Sequence, residues 1–340
     1  MGYKKVIVEE FGDASGISVV EEERLPEPGA GEARVKVEAS SAVFTDMLIR
    51  RKLYPAVRQK PPITLGYDLV GVVDGLGPGV TGLSAGQRVA DLTQIGGNAE
   101  YVCRPAGGLV PVPESLDAAE AETIPLSYMT AYQMLVRIAN VRPGQRILIQ
   151  GATGAVGTAL LQLGRLLGVE MVGTASVRNQ DLILEYGAKA IDYRAPDYEQ
   201  QLRTAAGEGF DAVFEGSGSG ISQRLVKQGG ILVSYGFSGM LRDKGNSRLG
   251  LLLAAAIGFS GVFVWSILPN GKSWSFYEIN GMREKHPDWF REDLGRLFDW
   301  LERGEIKPVI AHRFPIDEAR QAHALLDEGG TRGRLVLVMD

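Results

Sequence analysis

The sequence predicts an α/β fold, a doubly wound parallel sheet inserted between two parts of a β-rich domain. Three observations predict it. Short strand-like runs separated by Gly and Pro turns fill the chain to about residue 117. Strand and helix patterns then alternate as far as Gly230-Ile-Leu-Val-Ser234, the signature of a parallel sheet with right-handed crossovers. A lone strand-like run, Leu335-Val-Leu-Val-Met339, closes the chain and needs a sheet to join; the N-terminal β-rich unit is the available host. The expected partition is 1–117 and 266–340 for the β-rich domain, with 118–265 inserted between them.

In order, Lys5–Val8, Ile17–Val20, Ala33–Glu38, Leu69–Val73, Gln87–Ala90 and Ala99–Val102 are short strand candidates, punctuated by turns such as Leu76-Gly-Pro-Gly-Val80. Regular short strands without long intervening helices suggest a barrel-like unit. From about Asp117 the spacing becomes helical, over Ala118–Ile124 and Tyr128–Ile138. The apolar run Arg146-Ile-Leu-Ile-Gln150 then leads into Gly151-Ala-Thr-Gly-Ala-Val-Gly157 and a small-residue, Leu-rich helix to Leu167. Further strands over Glu170–Thr174, Ala190–Asp192 and Asp211–Glu215 alternate with helices, one ending at Tyr186 before Gly187. Late in the chain Phe290, Leu294, Leu297, Phe298 and Leu301 mark an amphipathic helix from Trp289 to Arg303.

The glycine stretch carries the first functional signal. A buried strand turning into a helix through glycines suits a Rossmann dinucleotide site, where the backbone approaches a pyrophosphate held by the helix N-terminus. The spacing is G-x-x-G-x-x-G, with Thr153 where the common fingerprint has a glycine. A structural loop remains the alternative on this motif alone.

Composition removes several classes. The 340 residues suffice for two cores, and 45% hydrophobic with 23% charged residues is ordinary for a globular protein. A net charge of -5 offers no general attraction to nucleic acid or anionic lipid. The single cysteine, Cys103, excludes an internal disulfide and a four-cysteine zinc site. Met1–Val8 is too short and too soon charged for a secretory signal, so cytoplasm is the expected compartment. No charge occurs between Arg248 and Lys272, but glycines interrupt that stretch. A buried helix and then a buried strand over Val262–Trp265 explain it better than a membrane span of about 20 apolar residues, so no stable membrane insertion is expected.

This arrangement resembles the medium-chain dehydrogenase/reductase superfamily, in particular its zinc-independent quinone oxidoreductase branch, which also holds enoyl reductases and vesicle amine transport protein relatives. The resemblance runs through Phe44-Thr-Asp46 to Pro55, Pro62-Ile-Thr-Leu-Gly66 to Gly71, Gly86-Gln-Arg-Val89, Thr130-Ala-Tyr132, Gly151–Gly157, Gly187-Ala188 with Ile191-Asp-Tyr193, and Gly333-Arg-Leu335. It implies a Rossmann domain inserted into a GroES-like catalytic domain. Zinc members carry a cysteine before the Thr-Asp pair and a His-Glu pair after the later glycine. Here Val43 and Phe44, then Tyr67 and Asp68, occupy those places, and apolar Val and Phe do not ligate zinc. The three histidines, His286, His312 and His323, show no ligand spacing.

The expected cofactor is NADPH. After the second strand the chain reads Ala175-Ser176-Val177-Arg178-Asn179, with no carboxylate for a ribose 2′-hydroxyl. A hydroxyl and a guanidinium suit a 2′-phosphate. The resemblance adds Tyr193 beside that phosphate, Thr130 and Tyr235-Gly236-Phe237 at the nicotinamide, and Arg334 near the cofactor mouth, with a surface-strand role as the alternative for Arg334. Gly151, Thr153, Gly154, Ala155, Val156 and Gly157 form the expected pyrophosphate loop. Tyr54 matches the tyrosine that related enoyl reductases place over the substrate, and a phenol donates a hydrogen bond at neutral pH. Asp46 is expected to hold the following helix start. Arg50, Arg51, Lys52, Arg58 and Lys60 are expected to form a solvated basic face rather than an anion site.

The implied activity is hydride transfer from NADPH to a quinone or an α,β-unsaturated carbonyl, by a homodimer acting on a small molecule. Most relatives have an asparagine where Val43 stands, which leaves the quinone substrate open. The competing class is a non-catalytic NADPH-binding scaffold or sensor, including a membrane-associated form through the uncharged Leu249–Gly271 region.

Overall fold

The structure, a computed structural model, describes residues 2–216, 221–236, 265, 269 and 271–339. Strands β1 (Tyr3–Val8), β2 (Ile17–Glu22) and β3 (Glu32–Ala42) come first, then helix α1 (Phe44–Arg50). β4 (Ile63–Thr64), β5 (Asp68–Leu76), β6 (Arg88–Leu92), β7 (Tyr101–Pro105) and β8 (Val110–Pro111) follow. α2 (Ala118–Glu122) and α3 (Met129–Tyr132) lead on, the latter flanked by π-helical turns. Strand and helix then alternate through β9 (Arg146–Ile149), α4 (Ala155–Leu166), β10 (Glu170–Ala175), α5 (Gln180–Glu185) and β11 (Lys189–Asp192). α6 (Tyr198–Ala206), β12 (Phe210–Glu215), α7 (Ser222–Leu225), β13 (Val226–Ser234) and β14 (Ser273–Phe276) continue the alternation. α8 (Ile279–Lys285), α9 (Pro287–Glu302), β15 (Ile310–Pro315), α10 (Ala319–Glu328) and β16 (Arg334–Val338) finish the chain.

Two compact units result, Met1–Met129 with Asp288–Asp340, and Thr130–Pro287. Both divisions lie later in the chain than 117/118 and 265/266. At the first, α2 packs on β3 and β5, so the helix after Asp117 belongs to the β-rich unit. At the second, β14 is a strand of the parallel sheet and stays with it.

In the β-rich unit, β2-β1-β4 form one small sheet, and β15-β16-β3-β5-β6-β8 form a larger one in which β7 also pairs with β3. Along β3 the apolar Ala33, Val35 and Val37 are buried while Arg34 and Lys36 are not, the period of two that one buried sheet face imposes. These side chains join Val6, Ile17, Leu65, Leu69, Leu335 and Leu337 in one core, where each buried aliphatic contributes about 1.5–3 kcal/mol. The terminal strand β16 lies antiparallel on β3, with Leu335 opposite Ala42. The last strand therefore finds the N-terminal host that its sequence called for.

The second unit holds a six-stranded sheet in the order β11-β10-β9-β12-β13-β14, every neighbour parallel. Ile147, Leu148 and Ile149 of β9 are all fully buried, as a central strand covered on both faces requires. Strand order reverses between β9 and β12, and ligands of such sheets bind beyond the carboxyl ends at that point. The expected strand at Val262–Trp265 and most of the uncharged stretch lie outside the described residues, apart from Trp265, Pro269 and Gly271. No described helix is long and apolar enough to cross a membrane.

Candidate active site

The glycine loop occupies the carboxyl end of β9. Gly151 has φ +69°, a left-handed conformation that a side chain would strain. Its N–H donates to Thr174 Oγ1 at 3.1 Å and the Ala152 N–H to the Thr174 carbonyl at 3.0 Å, so the loop leans on the end of β10. Gly157 is needed for close approach: a Cβ there would sit 2.4 Å from the Gly151 carbonyl oxygen and 2.6 Å from the Ala152 carbonyl carbon. Gly154 differs. It caps α4 with φ −75°, and a Cβ there would meet only the Gly151 oxygen, at 3.6 Å, among the described residues. Among the described residues no packing demand accounts for that glycine, and its missing side chain leaves room at the N-terminus of a 12-residue helix, where amide groups and the helix dipole favour an anion. Thr153 is buried behind this turn, and Ala155 and Val156 form the half-buried first turn.

Ser176 and Tyr193 follow two paired strands, β10 and β11, and the Tyr193 N–H reaches the Ala175 carbonyl at 3.4 Å. The structure thus brings these two expected residues together. Arg178 is exposed two positions beyond Ser176. A further cation joins them, since the Arg194 guanidinium lies 5.4 Å over the Tyr193 ring.

Tyr235 and Gly236 follow β13, the Tyr235 N–H donating to the Glu215 carbonyl at 3.0 Å. Desolvation, with the Glu215 charge adding to it, holds the Tyr235 phenol above its ordinary pKa. Glu215 is a buried carboxylate that accepts Ser222 Oγ at 2.6 Å and Ser234 Oγ at 3.3 Å. Gln150 Nε2 donates to the same Ser222 at 2.5 Å, tying the ends of β9, β12 and β13 into one network. Phe237 lies outside the described residues. Thr130 is buried in α3. One turn on, Gln133 Oε1 accepts the Tyr277 hydroxyl at 2.8 Å, and the Tyr277 N–H donates to the Ser234 carbonyl at 2.8 Å, which anchors that helical run to the carboxyl end of β13.

In the β-rich unit, the half-buried Tyr54 has its hydroxyl 2.7 Å from that of Tyr67, with the rings edge to face at 6.2 Å. Asp46 does hold the helix start: Oδ2 accepts the Val43 N–H at 3.0 Å and Oδ1 the Gly66 N–H at 3.2 Å. Burial pushes its pKa up to about 7 against those two donors and the nearby Arg334 and Arg50.

Arg334 departs from the surface-strand alternative. It is 3% exposed and bonded within its own unit, donating to Ser127 Oγ at 2.9 Å, Ser41 Oγ at 2.8 Å and Glu122 Oε1 at 3.0 Å, and pairing with Asp68. Desolvation would lower its pKa, but Asp68 and Glu122 more than offset this and raise it. Asp68 is held well above the ordinary carboxylate range, by burial first and by the charge of Glu122 after it, with Arg334 opposing. The basic face is also corrected. Arg50 is fully buried, donating to the Gly12 carbonyl at 3.0 Å and pairing with Asp327 at 2.6 Å, and Arg51 pairs with the same carboxylate at 2.6 Å. Only Lys52, Arg58 and Lys60 of that group are exposed.

At the expected metal positions, Val43 is apolar and buried, Tyr67 hydrogen-bonds Tyr54, and the Asp68 carboxylate is engaged by Arg334 and Ser41. Among the described residues no group of three or more His, Cys, Asp or Glu is arranged to hold a metal ion. Sequence reasoning missed Tyr67, Arg194 and Glu215. Arg194 directly follows Tyr193 as a second cation near Ser176; Tyr67 is marked only by standing where zinc members have a histidine, and Glu215 carries no local signal.

Two family profiles match the chain, one described as an alcohol dehydrogenase GroES-like domain over residues 29–114, the other as a zinc-binding dehydrogenase over 186–337. The synaptic vesicle membrane protein VAT-1 homolog of Mus musculus is 30% identical over 319 residues, covering 92% of this chain and 78% of that protein. The quinone oxidoreductase of Rattus norvegicus is 27% identical over 346 residues, covering 99% and 98%. Among solved structures, a mycobacterial protein complexed with NADPH is similar at a TM-score of 0.82 and 26% identity, covering 98% of this chain and 99% of that one.

Proposed function

The chain belongs to the medium-chain dehydrogenase/reductase superfamily, a family of oxidoreductases, and from that premise we propose that it is an NADPH-dependent, zinc-independent reductase of quinones or α,β-unsaturated carbonyls. The observation that carries the reading is the geometry of the Gly151–Gly157 loop: a left-handed Gly151, a sterically required Gly157 and, among the described residues, an unforced Gly154 at the N-terminus of α4. The residues fit the cofactor. Gly151–Gly157 would hold the pyrophosphate, Ser176, Arg178, Tyr193 and Arg194 the 2′-phosphate, and Thr130, Tyr235, Gly236 and Phe237 the nicotinamide end. The NADPH carried by the mycobacterial relative supports the choice of nucleotide.

When bound, NADPH supplies a hydride, and one proton from water completes the two-electron reduction of the acceptor. The protein's own part is electrostatic. Negative charge develops on the acceptor's carbonyl oxygen as hydride arrives at carbon, and Tyr54 would donate a hydrogen bond to that oxygen. The side chains at the superfamily's metal positions supply no zinc site, so no metal step belongs to the reading.

Loss of nicotinamide absorbance on mixing NADPH with a panel of quinones, enones and enoyl thioesters tests it. No turnover with any of them would sink the enzymatic claim and favour a non-catalytic NADPH-binding protein, the alternative that Val43 keeps open. A homodimer belongs to the same proposal, with sedimentation as its check.

A further inference from the structure

We propose that His323 is an acid-operated latch: protonating its imidazole releases the C-terminal half of α10 from α1 and from the turn at Gly12–Ala14. The inference stands on geometry within the β-rich unit and is independent of the reductase reading.

Three segments meet at one carboxylate. Asp327 of α10 pairs with Arg50 at 2.6 Å through one oxygen and with Arg51 at 2.6 Å through the other, and it accepts the Ala14 N–H at 3.3 Å. Arg50 donates from Nη1 to the Gly12 carbonyl at 3.0 Å, and the Gly12 N–H donates to the Arg50 carbonyl at 2.8 Å. His323 stands one turn before Asp327 on the same helix, where side chains four positions apart are neighbours. Both His323 and Arg50 are fully buried. Ala319 and Ala322 anchor the first half of α10 in the apolar core, so the polar cluster falls on its second half.

The cluster has no acceptor for another buried cation. Among the described residues neither ring nitrogen of His323 has a hydrogen-bond partner, and Nε and Nη2 of Arg50 lack one as well, the Asp327 contact being an ion pair without hydrogen-bond alignment. A neutral imidazole can sit there. An imidazolium would share one carboxylate with two guanidinium groups, and a buried charge without its own partner is costly. Burial opposes protonation most, Arg50 adds to it, and Asp327 works against both. The other charged groups near α10 are engaged elsewhere. Asp13 holds Ser15, Arg320 the Ile17 carbonyl, Lys52 the Phe11 ring and Arg313 of β15 Asp117, while Lys5 of β1 pairs with Glu22 of β2.

In place, the imidazole takes a proton only near pH 3, whereas one in water takes it near 6.5. Each pH unit lost between these values favours the released form about tenfold, so opening should rise about 30-fold from pH 7.5 to pH 5. Arg50 ends α1 and Tyr54 follows in the next loop, so release loosens the segment that carries Tyr54.

Hydrogen exchange of the full chain, read by mass spectrometry at pH 7.5 and pH 5 and corrected for the intrinsic pH dependence of exchange, tests the latch. Amides of Gly12–Ile17, Met47–Leu53 and Ala322–Gly329 should open about 30-fold more at pH 5, while those of β5 hold. His323→Leu should abolish the rise, and His323→Gln, neutral at both pH values, serves the same purpose if the leucine variant does not fold. An equal rise in the neutral variant, or a rise in β5 as large as in the three segments, overturns the proposal. Asp327→Asn should open the same segments already at pH 7.5; unchanged protection there overturns the latch, because the carboxylate would then not be what holds it closed.

Discussion

Adding one methyl group at each of two glycines separates packing from ligand binding in the Gly151–Gly157 loop. At position 157 the new Cβ would lie 2.4 Å from the Gly151 oxygen, 2.6 Å from the Ala152 carbonyl carbon and 2.7 Å from the Ala152 Cα. Ordinary contacts lie at about 3.5–4.0 Å, so backbone must move by about 1 Å on the side away from solvent. Such overpacking costs about 1–3 kcal/mol, and the better helix propensity of alanine returns up to about 1 kcal/mol. A net loss of about 1–2 kcal/mol should lower the Tm by several degrees. The displaced loop should bind NADPH at least about tenfold more weakly, a change of about 1.4 kcal/mol. At position 154 the nearest atom among the described residues, chain neighbours aside, is 3.6 Å away, so Gly154→Ala should cost only the few tenths by which alanine is a poorer N-cap. Its Cβ enters the space assigned to the pyrophosphate, and NADPH affinity should fall by about tenfold or more in a protein of near-normal Tm. Thermal unfolding and fluorescence titration with NADPH check both variants. A Gly157→Ala protein with unchanged Tm refutes the packing argument; a Gly154→Ala protein with full NADPH affinity refutes the assignment of the loop to pyrophosphate.

Other substitutions test the remaining assignments. Arg334→Met should destabilise by about 3–5 kcal/mol in urea unfolding, because it strands the buried Asp68 and Glu122 without a counter-charge; the folded fraction should bind NADPH normally, and a selective loss of binding would return Arg334 to the cofactor. Arg178→Ala should weaken NADPH about tenfold and leave NADH unchanged, as expected for one charge-assisted contact to a 2′-phosphate; equal effects on both nucleotides would contradict that role. His323 is fully buried with no hydrogen-bond partner on either ring nitrogen among the described residues, and burial pushes its pKa down to about 3. The unfolded imidazole titrates near 6.5, so between these values the unfolded state binds more protons and stability falls as pH drops. His323→Leu should flatten that acid limb of the Tm profile, and an unaltered limb would assign it to other groups.

Much of the fold was legible because its signals are local. Alternation along β3 and the unbroken apolar run of β9 reflect burial on one face or on two. Gly151 and Gly157 reflect backbone sterics written within seven residues. The division between units was less legible, since α2 has a helical pattern of its own and only its packing on β3 and β5 assigns it to the β-rich unit. Arg50 reads as one more cation in a basic run, yet Asp327 of α10 and the Gly12 carbonyl meet it in a fully buried position. No pattern within α1 carries that information.

By itself the sequence determined the two-part architecture, the glycine-rich turn from β9 into α4, the run Ser176-Val-Arg-Asn179 without a carboxylate after β10 and the apolar Val43 and Phe44, since each depends on residue type and short-range spacing. Tertiary structure decided what the long-range partners do. Arg334 stands 266 positions from Asp68, and only the antiparallel closure of β16 on β3 turns that arginine inward to serve the stability of its own unit. Tyr67, at a position that sequence comparison marks only by its missing histidine, becomes the buried partner of Tyr54. A hydrogen bond depends on where two atoms arrive, and for these residues that place is set by the sheet and loops around them rather than by their neighbours in the chain.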